Sequence, residues 1–359
     1  MIDRDRVVNT LCEIVQIDSP SGEEEAMAQD LNRRLTALGF VISRDAHGNL
    51  FASEEGSNPL MLSAHMDTVD PGRGIKPQVV GDRIQSDGTT ILGGDCKAGI
   101  AAVLEALESI KQDGGSRIPV QLIYTRGEEI GLVGARNLDF SMVQAKHAVV
   151  FDGNGPVSMV TTASPTYVSF DVRITGRAAH AGVEPEKGLS AIRIAADIIG
   201  RLPQGRLDDE TTINVGSITG GSVRNTVPEE AFFSGEFRSR STETLDLLRL
   251  QITNALDAAR KLYTEAKIVE DLDISFHTYT LPDDHEMVQR ATSVLTDINL
   301  KPQLGPTGGG TDANVFNRRG IPAVVVGMST NLMHTNREYV DILDLVDTAR
   351  FCQALLTRV

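Results

Sequence analysis

The chain has 359 residues, 41% hydrophobic and 23% charged, a composition that excludes a disordered or fibrous protein and whose length favours two domains over one. A formal charge of -15 argues against broad contact with nucleic acid or an anionic membrane, both of which need surfaces rich in Lys and Arg. Cys12, Cys96 and Cys352 are odd in number and far apart, which argues against a disulfide framework or a thiolate zinc site and for a reducing cytoplasm. The opening MIDRDRVVNTL has charges where a secretory signal carries its apolar core, and no apolar run is long enough to span a membrane.

In chain order, Ser21 and Glu24 have the spacing of a capping box, and Ala26, Leu31, Leu35 and Leu38 then recur at helical intervals, predicting a helix. Short apolar runs follow at 59–64, 118–125, 148–151 and 321–327, alternating with helical stretches such as 97–111. Continuous apolar strands between helices predict an open, mostly parallel α/β sheet covered on both faces. From about 164 the texture changes: Val168, Phe170, Val172 and Ile174 alternate with Ser169, Asp171, Arg173 and Thr175, the period of a strand with one wet face. The order from 164 to 278 reads β-α-β-β-α-β, a ferredoxin-like pattern. The expected organisation is therefore a discontinuous α/β domain, 1–163 and 279–359, with an α+β domain of 164–278 inserted into it.

The unusual polar residues fall at the expected strand ends. His65 and Asp67 follow PLMLSA, Asp95 lies in GGDCKAG before a helix, Glu128 and Glu129 follow IPVQLIYT, Asp152 follows AVVF, and His334 follows IPAVVVG. The carboxyl ends of parallel strands form the ligand crevice of an open α/β sheet, so these side chains can converge. Each alone has an ordinary explanation: a core histidine, a helix-capping aspartate, first-turn acids, a turn residue, a surface histidine. Together they require a cause. Several carboxylates in a partly buried crevice are tolerable when ionised only beside positive charge. Two divalent ions about 3.5 to 4 Å apart supply it and suit hydrolysis. Nitrogen and oxygen donors suit zinc, with cobalt or manganese as alternatives; Cys96 is read as a packed neighbour.

The blocks SAHMDTVDPG, GGDCKAGIAAVLEAL, TRGEEIGLVGA, FDGN, AAHAG, GGSVRNTVPE and GGGTDANVFNRRGIPAVVVGMSTNLMHTNREYV together resemble the M20 metallopeptidases, and specifically their peptidase T-like branch. The resemblance implies that Asp95 bridges two metals, that His65 and Asp152 complete one site, and that Glu129 and His334 complete the other. It implies that Asp67 orients the His65 imidazole through its other ring nitrogen and that Glu128 is the general base. An aspartate at position 152 is associated in this family with aminopeptidase-type members. The inserted domain then resembles a lid and dimerisation domain, giving a possible homodimer, with His180 polarising the scissile carbonyl from its own or a neighbouring subunit. Asn225 resembles a substrate contact, Arg224 more weakly. Arg238 is either a substrate contact or a strand residue paired within its sheet. Gly309 and Gly310, in GPTGGGTDANVF, let backbone approach a ligand, and a helix starting near Asp312 aims N–H groups at an anion; the ordinary reading, a glycine turn with Thr311 or Asp312 as helix cap, is compatible with that one.

The implied function is a two-metal exopeptidase acting on short peptides, of the tripeptide aminopeptidase type. An N-acyl-amino-acid amidohydrolase or carboxypeptidase-like enzyme is the alternative within hydrolases, and a catalytically silent binding protein the alternative of another class.

Overall fold

The computed structural model describes residues 1–358, which fall into two compact units: 1–163 with 279–307 and 311–358, and Ser164–Thr278 with Gly308–Gly310. The first unit is built on a mixed sheet whose strands run, across the sheet, Val41–Arg44, Leu50–Ser53, Val120–Thr125, Leu60–His65, Ala148–Gly153, Ala323–Gly327, Met159–Ser164 and Tyr279–Thr280. The central four are mutually parallel. They are the continuous apolar runs of the sequence, and Leu60–His65 and Val120–Thr125 are buried along their whole length, as a sheet covered on both faces demands. The long helix Gly94–Gln112 is buried at nearly every position of its length, because Gly and Ala at 98, 99, 101 and 102 let it press against the sheet. At Gly99 an added Cβ would lie 2.6 Å from the Phe151 side chain.

One local expectation fails. The helix Glu25–Leu38 forms, but its N-cap is Glu24 and no side chain caps it. Ser21 donates instead to Asp67 Oδ2 at 2.7 Å, and Glu24 Oε1 accepts from the N–H groups of Gly22 and Gly127 at 2.8 and 3.0 Å. The buried stripe is Met27, Ala28, Leu31 and Leu35, while Ala26 is exposed and Leu38 half-buried. Ser21 and Glu24 have the spacing of a cap but serve the strand ends beside them.

The second unit carries a five-stranded sheet, ordered Gly205–Arg206, Thr211–Gly220, Glu230–Ser239, Thr166–Thr175 and Lys267–Phe276, all antiparallel. Helices Ala191–Ile199 and Thr242–Leu262 complete the β-α-β-β-α-β order. The inward residues Val168, Phe170, Val172 and Ile174 meet Phe233 and Phe237 from the next strand and Ile194, Ile198, Leu248 and Ile252 from the helices, forming a core of their own. Among the described residues no helix is long and apolar enough to cross a membrane.

Candidate active site

The parallel strands end where the chain places its acids. His65 closes the strand Leu60–His65, Glu128 and Glu129 follow Val120–Thr125, Asp152 lies in Ala148–Gly153, and Asp95 opens the buried helix. His334 sits beyond Ala323–Gly327 on a positive-φ turn, with φ of 62°. These side chains converge. His65 Nε2 lies 3.2 Å from Asp95 Oδ1 and 3.8 Å from Asp152 Oδ1, and His334 Nε2 lies 3.2 Å from Asp95 Oδ2 and 3.1 Å from Glu129 Oε1. Asp95 thus presents one oxygen to each histidine. Donor atoms of His65, Asp95, Cys96 and Asp152 lie within 4.8 Å of one another, as do those of Asp95, Glu129 and His334, and of His65, Glu128 and Glu129. Two adjoining donor groups share Asp95.

The electrostatics state what is missing from a set of side chains alone. Burial and the neighbouring Asp152 push the Glu128 carboxyl well above its ordinary range, and burial does the same to Asp152. Hydrogen bonds to Asp95 and Glu129 push His334 up to about 10. Burial alone would raise Asp95, yet its bonds to His334 and His65 hold it well below the usual carboxylate range. The carboxylates call for positive charge at the point where both imidazole nitrogens face them. Divalent cations meet that demand while leaving the ring nitrogens neutral and available as donors. The donor set, two imidazoles and carboxylates with one carboxylate between them, therefore fits a pair of metal ions. The Cys96 thiol, within the first of these groups, donates to the Phe151 carbonyl at 3.0 Å and packs against the strand that carries Asp152.

Asp67 faces the other ring nitrogen of His65 and also braces the neighbouring loop. The His65 Nδ1 nitrogen lies 2.9 Å from the backbone carbonyl of Asp67 and 3.5 Å from its carboxylate. Both the main chain and the carboxylate of Asp67 thus face this ring nitrogen, the main chain more closely. The carboxylate itself accepts from the N–H groups of Glu128 and Glu129 at 3.0 and 3.2 Å, so it holds the paired-glutamate loop in place. Glu24 adds a bond to the Gly127 N–H in the same loop. Neither role shows in the spacing of HMD or of SGEE, because both depend on backbone groups 61 or more residues away. Asp312, at the first turn of Asp312–Arg318, is buried and accepts from Thr125 Oγ1. Burial pushes its carboxyl up to about 6.

The remaining predicted residues lie in the second unit. His180 and Asn225 are neighbours in a short ribbon: Ala179 and His180 pair with Val227 and Thr226, and Ala181 N–H donates to the Asn225 carbonyl at 2.9 Å. Both are exposed, as is Arg224. Arg238 is paired within its sheet, its Nε 2.9 Å from Glu236 and its guanidinium 4.6 Å from the Tyr167 ring centroid, and it also donates to the Gly308 carbonyl at 2.9 Å. The Gly309 carbonyl accepts from Ser164 at 2.7 Å. At Gly310 a Cβ would fall 2.1 Å from the Phe276 ring, so this glycine admits an aromatic side chain of the protein itself. Thr311 caps the helix Asp312–Arg318: its hydroxyl accepts from Ala313 N–H at 3.2 Å and Asn314 Oδ1 accepts from its N–H at 3.0 Å.

Comparison with known proteins agrees with this arrangement. Residues 162–264 match the peptidase dimerisation domain of the M20 peptidases, and residues 48–161 match peptidase family M28. The crystal structure of aminopeptidase PepT from Bacillus cereus is 35% identical, covers 99% of this chain and 98% of its own, and superimposes with a TM-score of 0.89. A tripeptidase from Staphylococcus aureus is 32% identical over 99% of this chain and 98% of its own, with a TM-score of 0.94. YqjE of Bacillus subtilis, an uncharacterized protein, is 35% identical over 99% of both chains. The M28 match covers only part of the first unit, whereas the dimerisation domain and the end-to-end relatives account for both units. On these grounds the chain belongs to the M20 metallopeptidases, on their peptidase T-like branch.

Proposed function

We propose that the chain is a two-metal aminopeptidase that removes the N-terminal residue of short peptides, tripeptides among them, with zinc as its metal. The carrying observation is Asp95, whose two carboxylate oxygens each lie 3.2 Å from a different imidazole while Glu128 adjoins the set. The names of the relatives, an aminopeptidase and a tripeptidase, support the substrate class.

In this reading His65, Asp152 and Asp95 hold one ion, and Asp95, Glu129 and His334 the other. When bound, the pair would supply Lewis acidity to the scissile carbonyl and lower the pKa of a bound water. Glu128 takes a proton from the attacking water and returns it to the leaving amine, a task suited to a carboxyl whose burial raises its proton affinity. Asp67, by fixing two successive N–H groups, keeps Glu128 and Glu129 apart in role although they are adjacent in sequence. His180 donates a hydrogen bond to the carbonyl oxygen as negative charge develops there, with Asn225 beside it as a further substrate contact. Arg238, Gly309 and Gly310 act together, since Arg238 shapes the Gly308–Gly310 turn through the Gly308 carbonyl. The dimerisation-domain match supports a homodimer through the second unit, and the three free cysteines, Cys12, Cys96 and Cys352, support a reducing, cytoplasmic setting.

A panel of alanine tripeptides, free or blocked at each end, tests the assignment. Cleavage should survive C-terminal amidation and stop on N-acetylation. Cleavage that survives N-acetylation but not amidation would replace the aminopeptidase with a carboxypeptidase-like enzyme.

A further inference from the structure

Glu338 is 1% exposed, and its carboxylate is taken up wholly by backbone. Oε2 accepts from the N–H groups of Leu92 and Gly93 at 2.9 and 2.8 Å, and Oε1 accepts from the N–H of Asp95 at 3.2 Å. Three converging N–H groups form the kind of concavity that elsewhere binds a phosphate or other anion. Here the anion belongs to the chain. Charge-assisted bonds of this sort are about twice as strong as neutral ones, and burial keeps water from competing.

The loop is built to receive that carboxylate. Gly93 has φ of 70°, the left-handed region that a side chain disfavours. At Gly94 a Cβ would lie 2.7 Å from Thr330 Cγ2, 2.8 Å from Val340 Cγ2 and 3.2 Å from Glu338 Oε1. The two glycines of GGDCKAG thus let the loop before Asp95 press against the segment that carries Glu338.

That segment also carries His334, four residues upstream. Glu338 therefore ties the main chain of Asp95 to the segment that carries His334. Those are the two residues whose Oδ2 and Nε2 atoms meet at 3.2 Å. The contact of Asp95 with His65 has a different support: His65 is fixed by its own strand and by the Asp67 carbonyl.

We infer that Glu338 is a positioning residue that sets the Asp95–His334 half of the metal centre, and that its loss weakens the ion held by Asp95, Glu129 and His334 more than the ion held by His65, Asp95 and Asp152. The inference rests on the two-metal reading above. It distinguishes Glu338 from a residue that merely stabilises the fold, which would lower the melting temperature and leave both ions bound alike.

The test is a calorimetric titration of metal-depleted protein with cobalt(II), followed also by the visible absorption of the bound ion. Wild-type protein should bind two ions per chain; fewer would overturn the two-metal reading itself, whatever Glu338 does. Glu338→Gln keeps the shape but turns an amide donor toward N–H groups. In this variant one ion should bind with wild-type affinity and the other about 10- to 100-fold more weakly, the usual cost of losing a partner behind a metal ligand. Turnover should return at high metal concentration with KM for peptide unchanged. Glu338→Asp, one methylene shorter, should show the same asymmetry in milder form and serves if the glutamine variant does not fold. Two unchanged affinities in a folded variant, or an equal loss at both, would overturn the inference.

Discussion

The two units bury different things. The first encloses charged side chains, Glu24, His65, Asp67, Asp95, Lys97, Glu105, Asp312 and Glu338, whereas in the second, among the described residues, the buried polar groups are Ser164, Thr166, Thr211 and Ser239 and none is charged. Those four settle their needs locally: Thr211 and Ser239 bond each other at 2.9 Å, Thr166 accepts from Thr278 N–H at 2.8 Å, and Ser164 reaches the Gly309 carbonyl. In the first unit the buried charges divide by purpose. Glu105 is structural, gripped by two nitrogens of Arg6 at 2.6 and 2.8 Å. Lys97 donates to the Ile17 carbonyl at 2.7 Å, and burial pulls its pKa down to about 7. The rest gather at the strand ends. Buried charge is costly unless paired, so its concentration in one unit marks that unit as the seat of chemistry and the other as a packed scaffold that presents exposed residues.

The hardest blow to this contrast would come from Glu128. Glu128→Gln removes a proton acceptor and leaves volume and the ligand set intact, so kcat should fall by roughly 10²- to 10⁴-fold while metal affinity stays the same. Near-normal turnover in that variant would remove Glu128 from its role and weaken the case that the buried acids are there for catalysis.

A second substitution asks the converse of the scaffold. Phe237 is fully buried and packs with Phe170, ring centroids 6.3 Å apart. Phe237→Ala should lower stability by about 3 to 5 kcal/mol in chemical denaturation. The metal affinities should not move, because its core is separate from the one beneath the ligands. A weakened metal site would show that the units are not the independent bodies their burial suggests.

The legible part of the molecule is the part governed by local periodicity and by residue type. The four parallel strands announce themselves as apolar runs and the strand Thr166–Thr175 by strict alternation. The candidate ligands are legible because histidines and acids gathered at successive strand ends have a cation as their simplest shared explanation. The loop-holding bonds of Glu24, Asp67 and Glu338 are not legible in the sequence. Each of these acids bonds backbone N–H groups supplied by distant segments, and backbone groups have no sequence signature. Glu338 in NREYV looks like any surface acid between Arg and Tyr. Arg238 left two readings open for the same reason: its carbonyl partner, Gly308, is 70 residues away.

Metal removal sharpens the contrast at smaller amplitude. A ligand that binds only the folded state stabilises it by RT ln(1 + [L]/Kd), about 2.7 kcal/mol at a hundredfold excess over Kd. Calorimetry of chelated and reloaded protein should show the transition of the first unit moving up with metal. Identical scans with and without metal would mean that the acid-rich strand ends do not bind the ions their geometry calls for.

The smallest effects separate two serines that look alike in sequence. Ser241, before the helix Thr242–Leu262, has extended backbone and accepts from Thr244 N–H at 3.2 Å, a true N-cap. Ser21 has the same apparent relation to its helix, yet it donates at 2.7 Å to the carboxylate that holds Glu128 and Glu129. Ser241→Ala should cost about 1 kcal/mol of stability and leave kcat/KM untouched, since the lost bond serves only the helix end. Ser21→Ala should leave the helix content unchanged, because no cap is lost, and lower kcat by roughly tenfold or less through the loosened Asp67 carboxylate. The pair is read by far-ultraviolet circular dichroism during denaturation and by peptide turnover. If Ser21→Ala melts its helix and spares turnover, the capping box expected from the sequence is real after all. The carboxylate network drawn from Ser21 to the paired glutamates would then be incidental.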